Sequence, residues 1–243
     1  MNAFRPGYLP SLLVLLLVPT LVGLGFWQLA RAEEKRQLLA VQQVQQLAAP
    51  ISLGELEGHP DPAYTRVQLF GQFDAQHSLL LDNRTRGGQA GVEILQPFYD
   101  QNSGLWLLLN RGWLPWRDRR VTPSFTTPQT PLSLTAWVYV SLGDTLQLQQ
   151  APPEKGWPRL ITRVEPQALW QQLGRAGLSH ELRLYPGPAS FQVDWPIVAM
   201  SPDKHLGYAV QWFALAVTLL GLFIYLGLHN ARETRHEPSH RPA

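Results

Sequence analysis

YLPSLLVLLLVPTLVGLGFWQLA, residues 8–30, carries no charged side chain, and LGYAVQWFALAVTLLGLFIYLGL, residues 206–228, repeats the feature near the other end of the chain. At 1.5 Å per residue each run reaches roughly 34 Å as a helix, enough to cross a hydrocarbon core of about 30 Å with modest tilt. A buried helix of a soluble domain rarely stays uncharged for so long. Both runs are therefore expected to span a bilayer, with Pro19 tolerated as a bend in the first. Ala30-Arg31-Ala32 has the small-x-small pattern of a signal-peptidase site, and Arg5 a short basic lead-in. The apolar run is too long for a signal h-region, and Trp27 and Gln28 crowd the bond, so a retained anchor is expected.

The fold class that follows is a membrane α+β protein: a two-helix transmembrane hairpin enclosing a β-rich, antiparallel domain with one or two helices. Its boundaries read 1–7 for an N-terminal tail, 8–30 for the first span and 31–204 for the domain. The second span takes 205–228 and a disordered His- and Pro-rich tail 229–243. Two spans put both tails on one side. Charge does not say which, because Arg5, Arg232, Arg235 and Arg241 in the tails balance Arg31, Lys35, Arg36 and Lys204 on the inner flanks.

Composition narrows the chemistry. A formal charge of +2 gives no basic stripe for nucleic acid. The chain has no cysteine, which excludes disulfides, thiolate metal sites, iron–sulfur clusters and cysteine nucleophiles. There is no phosphate loop, no G-x-S-x-G, no H-E-x-x-H and no dinucleotide fingerprint. No enzyme activity, catalytic residue or metal site is expected. His59, His77 and His180 stand far apart, His236 and His240 lie in the tail, and Asp82 and Glu93 read as surface charges.

Between the spans, good helix formers carry the first helix on as a polar stalk to about Leu47, before Pro50. From Tyr64 the period becomes two, with Val67, Leu69, Gly71 and Phe73 on one face. Further strands are expected at Ser78–Asp82, Gly91–Tyr99, Leu105–Asn110, Leu132–Val140, Glu181–Tyr185 and Trp195–Val198. A helix is expected over Val164–Leu173, with Pro166 in its first turn.

One constellation carries possible chemistry. His205, Tyr208 and Trp212 recur at i, i+3 and i+7 on the second span, and Gly23, Trp27 and Arg31 at i, i+4 and i+8 on the first. An antiparallel hairpin brings these to one membrane boundary. Two readings fit. One is an interfacial belt of Trp, Tyr and Arg. The other is a haem-edge site with neutral His205 as axial ligand, Arg31 near propionates, and Trp27 and Trp212 against the macrocycle. No second histidine stands at that depth, so any haem binding is expected to be transient, completed by a partner or a second copy.

Four blocks in order resemble the surfeit locus protein 1 family. Gly25-Phe26-Trp27-Gln28-Leu29-Ala30-Arg31 with Lys35 resembles its first-helix motif, and Tyr64–Val67 with Gly71-Gln72-Phe73 its first strand. Gly87–Gly91 with Leu107–Pro115 (LLLNRGWLP) resembles its middle block, and His205–Phe213 (HLGYAVQWF) its second-helix motif. The resemblance implies an assembly factor for cytochrome c oxidase, a haem-copper terminal oxidase, acting on haem a insertion or subunit I maturation. It implies an inner-membrane location with the central domain periplasmic. It also implies partners among subunit I, other oxidase assembly or haem a synthesis proteins, and membrane lipid. His205 matches the family's proposed haem ligand. Arg111 and Trp113 are candidate partner contacts, although a turn-stabilising arginine and a packed tryptophan are the plainer reading. The rival is a membrane-anchored extracytoplasmic scaffold or ligand sensor without cofactor.

Overall fold

A computed structural model describes Phe4, residues 6–140 and residues 156–233. The elements run α1 (Tyr8–Leu47), α2 (Leu53–Glu57), β1 (Arg66–Phe73), β2 (Leu79–Arg86), β3 (Gln89–Asp100), β4 (Trp106–Pro115), β5 (Leu132–Tyr139), β6 (Arg159–Ile161), α3 (Pro166–Leu173), β7 (Gly177–Leu184) and α4 (Pro202–Glu233). They fall into two compact units, a helical one (residues 1–41 and 196–243) and a β-rich one (42–195).

In the helical unit, α1 and α4 are long and apolar enough to cross a bilayer. Only 6% of the apolar window in α1 and 11% of that in α4 is buried, so neither is the core helix of a soluble fold. Their least exposed positions recur at about 3.5 residues, the spacing of a left-handed helix pair. On α1 these are Val14, Val18, Leu21, Gly25, Gln28 and Ala32; on α4, His205, Ala209, Trp212, Ala216, Leu219 and Phe223. Small residues let the backbones approach. Gly25 is one of them, since a Cβ there would stand 2.5 Å from the Phe213 ring. Phe26 packs edge-on to Phe213, and Phe4 edge-on to Phe223. α1 is continuous through Pro19 and ends at Leu47, as the sequence led one to expect. α4 runs to Glu233, past the expected start of the tail. Arg5, Arg235, Arg241, His236 and His240 lie outside the described residues.

The β-rich unit is a small barrel. β1 pairs antiparallel with β5 over Arg66–Gly71 and with β3 over Gly71–Phe73, so β1-β5-β7-β4-β3 closes on itself. Closure removes the free edges that an open sheet would present. β2 takes the other half of β3, and β6 pairs beyond it. Most pairs are antiparallel, as expected, but β4–β7 and β2–β6 are parallel. The inward face holds Val67, Leu69, Phe98, Leu107, Leu109, Ala136, Leu182 and Leu184. Leu81, Leu95 and Leu108 face outward, where Leu169 and Trp170 of α3 cover them. α3 starts on Pro166 and stops at Gly174, which adopts φ +63°.

Several elements differ from expectation. β4 continues through Arg111 and Gly112 to Pro115, because Arg111 points inward and finds acceptors there. Trp195–Val198 is not a strand; nearby, Gln192 makes a single bridge to Trp113. α2 and β6 were not foreseen. They are short, and α2 is held by a capping box between Ser52 and Glu55.

Candidate functional site

The two helix motifs meet in one hydrogen bond. His205 Nδ1 stands 2.7 Å from Gln28 Oε1, with the imidazole 8% exposed. An amide oxygen only accepts, so the contact is made by an Nδ1 that carries a proton. Trp212 lies on the same seam, its Nε1 buried and without a hydrogen-bond partner among the described residues. Gln28 was quoted within a motif but not singled out as a site residue; its i, i+4 relation to Ala32 and i+3 relation to Gly25 were the available signal.

The other three residues face elsewhere. Trp27 is 51% exposed and Tyr208 44%. Arg31 stands over the Trp27 ring at 5.8 Å and pairs with Glu34 at 2.6 Å. Hydrogen bonds from Arg31 and Lys35 hold the Glu34 carboxyl below its ordinary range. The five residues thus share a level of the helix pair without sharing a face. Trp27, Arg31 and Tyr208 have the exposure of an interfacial belt, whereas His205 and Trp212 belong to the seam. The donor set of the seam is one imidazole with its second nitrogen oriented by Gln28, and one orphaned indole N–H. That set fits a single axial position of a haem.

The β-rich unit holds two buried polar clusters. In the first, Asn110 Nδ2 donates to Glu93 Oε2 and to Glu181 Oε1, both at 2.9 Å, and Arg183 Nε donates to Glu181 at 2.8 Å. Arg86 approaches Glu93 at 3.5 Å and pairs with Asp194. The Arg183 guanidinium lies 3.5 Å from the Tyr139 ring centre and 4.8 Å from that of Trp195. Burial opposes its charge, but Glu181 and Glu93 more than compensate and raise its pKa. Glu93, expected as a surface charge, is buried. Asp82 pairs with Arg119.

In the second cluster Arg111 is 2% exposed and has no carboxylate partner among the described residues. Its Nε donates to Ala189 O at 2.7 Å, Nη1 to Gln96 Oε1 at 2.6 Å and Nη2 to Thr126 O at 3.0 Å. The rings of Phe73 and Phe191 lie on it at 5.0 and 4.5 Å. Burial pushes its pKa down to about 10, so it stays charged at neutral pH. Trp113 is buried too, donating Nε1–H to Arg84 O at 2.9 Å. Neither residue is therefore available as a surface contact. The expectation of partner contact is corrected: Arg111 is buried in the barrel and Trp113 packs over Gly91 against β2.

Arg111→Met is expected to destabilise the unit by about 2 kcal/mol. Removing the charge recovers a burial cost on the order of 3 kcal/mol. Against that, Thr126 O and Ala189 O are stranded at roughly 1–3 kcal/mol each and Gln96 Oε1 keeps only Thr127 Oγ1 at 3.3 Å, and the stranding wins. Urea unfolding at pH 7 measures it; an unchanged midpoint would contradict the account.

Comparison with known proteins places these motifs in context. A profile described as the SURF1 family matches residues 15–217. The chain is 25% identical over 230 residues to a SURF1-like protein of Rickettsia felis, covering 88% of this chain and 95% of that one. It is 26% identical over 245 residues to a SURF1-like protein of Caenorhabditis briggsae, covering 88% and 74%. With Surfeit locus protein 1 of Homo sapiens it shares 33% identity over 132 residues, 45% of this chain and 42% of the human one. A match across most of its length, including both helix motifs and the barrel between them, places the chain in the SURF1 family.

Proposed function

We propose that this protein assists the maturation of a haem-copper terminal oxidase of the cytochrome c oxidase type, and that its helix pair handles haem a on the way to subunit I. The family is known generally as oxidase assembly factors, and two helices suited to a bilayer agree with a membrane-bound step. The observation that carries the finer reading is the bond between Gln28 and His205, which joins the two helix motifs and orients an imidazole as a ligand requires. Haem a, when bound, supplies an iron with open axial positions and two anionic propionates. His205 would hold the iron through Nε2, and Gln28 would fix the ring's tautomer and direction. We place the helix pair in a cell inner membrane, with the β-rich unit periplasmic and meeting subunit I or haem a synthesis proteins. In this reading the protein is an assembly factor and not an enzyme.

The test is deletion of the gene, followed by reduced-minus-oxidised spectra and oxidase activity of the membranes. Loss of the a-type haem signal, restored by the wild-type gene, is the expected result. Normal oxidase and haem content would overturn the proposal and favour a cofactor-free scaffold.

A further inference from the structure

A cleft of about 430 Å³ opens in the β-rich unit between the Ala75–Ser78 turn and the segment 122–129, with Trp157 as one wall. Its floor is wired to Arg111. Gln96 accepts from Arg111 through Oε1 at 2.6 Å and passes the polarity on through Nε2, which donates to Ser78 Oγ at 2.8 Å and Thr127 Oγ1 at 2.9 Å. Both residues line the cleft. Having accepted from Gln96, each has its own proton left to give. Neither proton has a strong internal acceptor: Ser78 reaches Ala75 O only at 3.5 Å. Thr127 reaches Gln96 Oε1 at 3.3 Å, where Arg111 is the closer donor. The Gln96 amide thus points its positive end at Ser78 and Thr127, and aligned hydrogen bonds in a buried chain reinforce one another.

The surrounding charges agree. Arg111 has no carboxylate partner among the described residues, so its field is not cancelled at the source. The carboxylate nearest in sequence to the turn, Asp74, is bridged by His77 at 2.6 Å and Arg175 at 2.7 Å. His77 stands edge-on to Trp157, and Arg159 lies over the Trp157 ring at 4.1 Å.

We propose that this cleft binds a carboxylate, received by the Ser78 and Thr127 hydroxyls and attracted by the charge of Arg111 behind Gln96. One formal charge, relayed through Gln96 and touching Thr127 Oγ1 directly at 3.4 Å, suits a monoanionic group better than a phosphate, which would call for several cations or a run of backbone N–H groups. The volume suits a small carboxylic acid or the acidic side chain of a docked segment. The proposal is independent of haem handling by the helix pair.

Calorimetric titration of the full-length protein in detergent tests it, with succinate and with a blocked Gly-Glu-Gly peptide. The uncharged isosteres succinamide and the Gly-Gln-Gly peptide serve as controls, with inorganic phosphate as a further probe. At least one carboxylate is expected to bind tenfold or more tightly than its amide, and the pattern across succinate and peptide identifies the source. Ser78→Ala with Thr127→Val should weaken binding about tenfold, whereas Thr127→Ser should retain it. Equal binding of acid and amide, tighter binding of phosphate, unchanged binding in the double variant, or no carboxylate binding at tens of millimolar would each overturn the site.

Discussion

Leucine in place of Arg183 is expected to cost the β-rich unit about 3–5 kcal/mol, the range for stranding a buried charge. Arg183 donates to Glu181 at 2.8 Å, and Glu93 stands across Asn110 in the same buried cluster. Without the guanidinium, two buried carboxylates are left with Asn110 and with Arg86 at 3.5 Å. The leucine would recover roughly 1.5–3 kcal/mol at best if fully buried, less than the stranded charge costs. Arg183 has its pKa raised in the fold, so its stabilisation is fully present below its unfolded value and lost only at strongly alkaline pH. Any narrowing of the gap between variant and wild type at acid pH must therefore come from the carboxylates, as protonation removes the stranded charge. Urea midpoints at pH 7 and in the acid range measure both effects. Equal midpoints at pH 7 would show that the cluster does not hold the barrel.

The second large effect lies where the barrel closes. Gly71 is the residue at which β1 passes from pairing with β5 alone to pairing with β3 as well. A Cβ there would stand 1.9 Å from Tyr99 O and 3.1 Å from the Phe98 ring. The clash is with a backbone carbonyl inside a ladder, which cannot swing away as a flexible side chain could. Gly71→Ala is expected to cost about 3 kcal/mol, the upper end for overpacking, by opening the β1–β3 seam. Hydrogen exchange should then speed up at Phe73 and Tyr99 before the β4–β7 pair is affected. Uniform protection across the barrel would contradict this.

The sequence was most legible where one physical signal dominated. Two uncharged runs marked the helices, and the stalk's end at Leu47 followed from helix formers giving way to Pro50. Alternation found β1, because it puts one face into the barrel. It could not reveal that β4 and β7 run parallel, since pairing between strands so far apart in sequence leaves no local mark. The length of β4 was misjudged for a related reason. Arg111 and Gly112 look like a stop, and only the acceptors supplied by Gln96, Thr126 and Ala189 make an inward arginine tolerable. Helical spacing put His205 and Trp212 on one face, and both lie among the least exposed positions of α4. Assigning Trp27, Arg31 and Tyr208 to the same face required knowing which stripe of each helix is buried. The pairing of Gln28 with His205 settles that, and it turns those three residues outward.

His205 is the residue on which haem binding would depend most directly. Detergent-purified protein from cells making haem a, assayed by absorption spectrum and pyridine haemochrome per mole of chain, is predicted to carry haem a. The His205→Ala variant, prepared alongside, is predicted to lose most of it. Wild-type protein devoid of haem, or a variant retaining the wild-type amount, would contradict the assignment of His205 as the ligand.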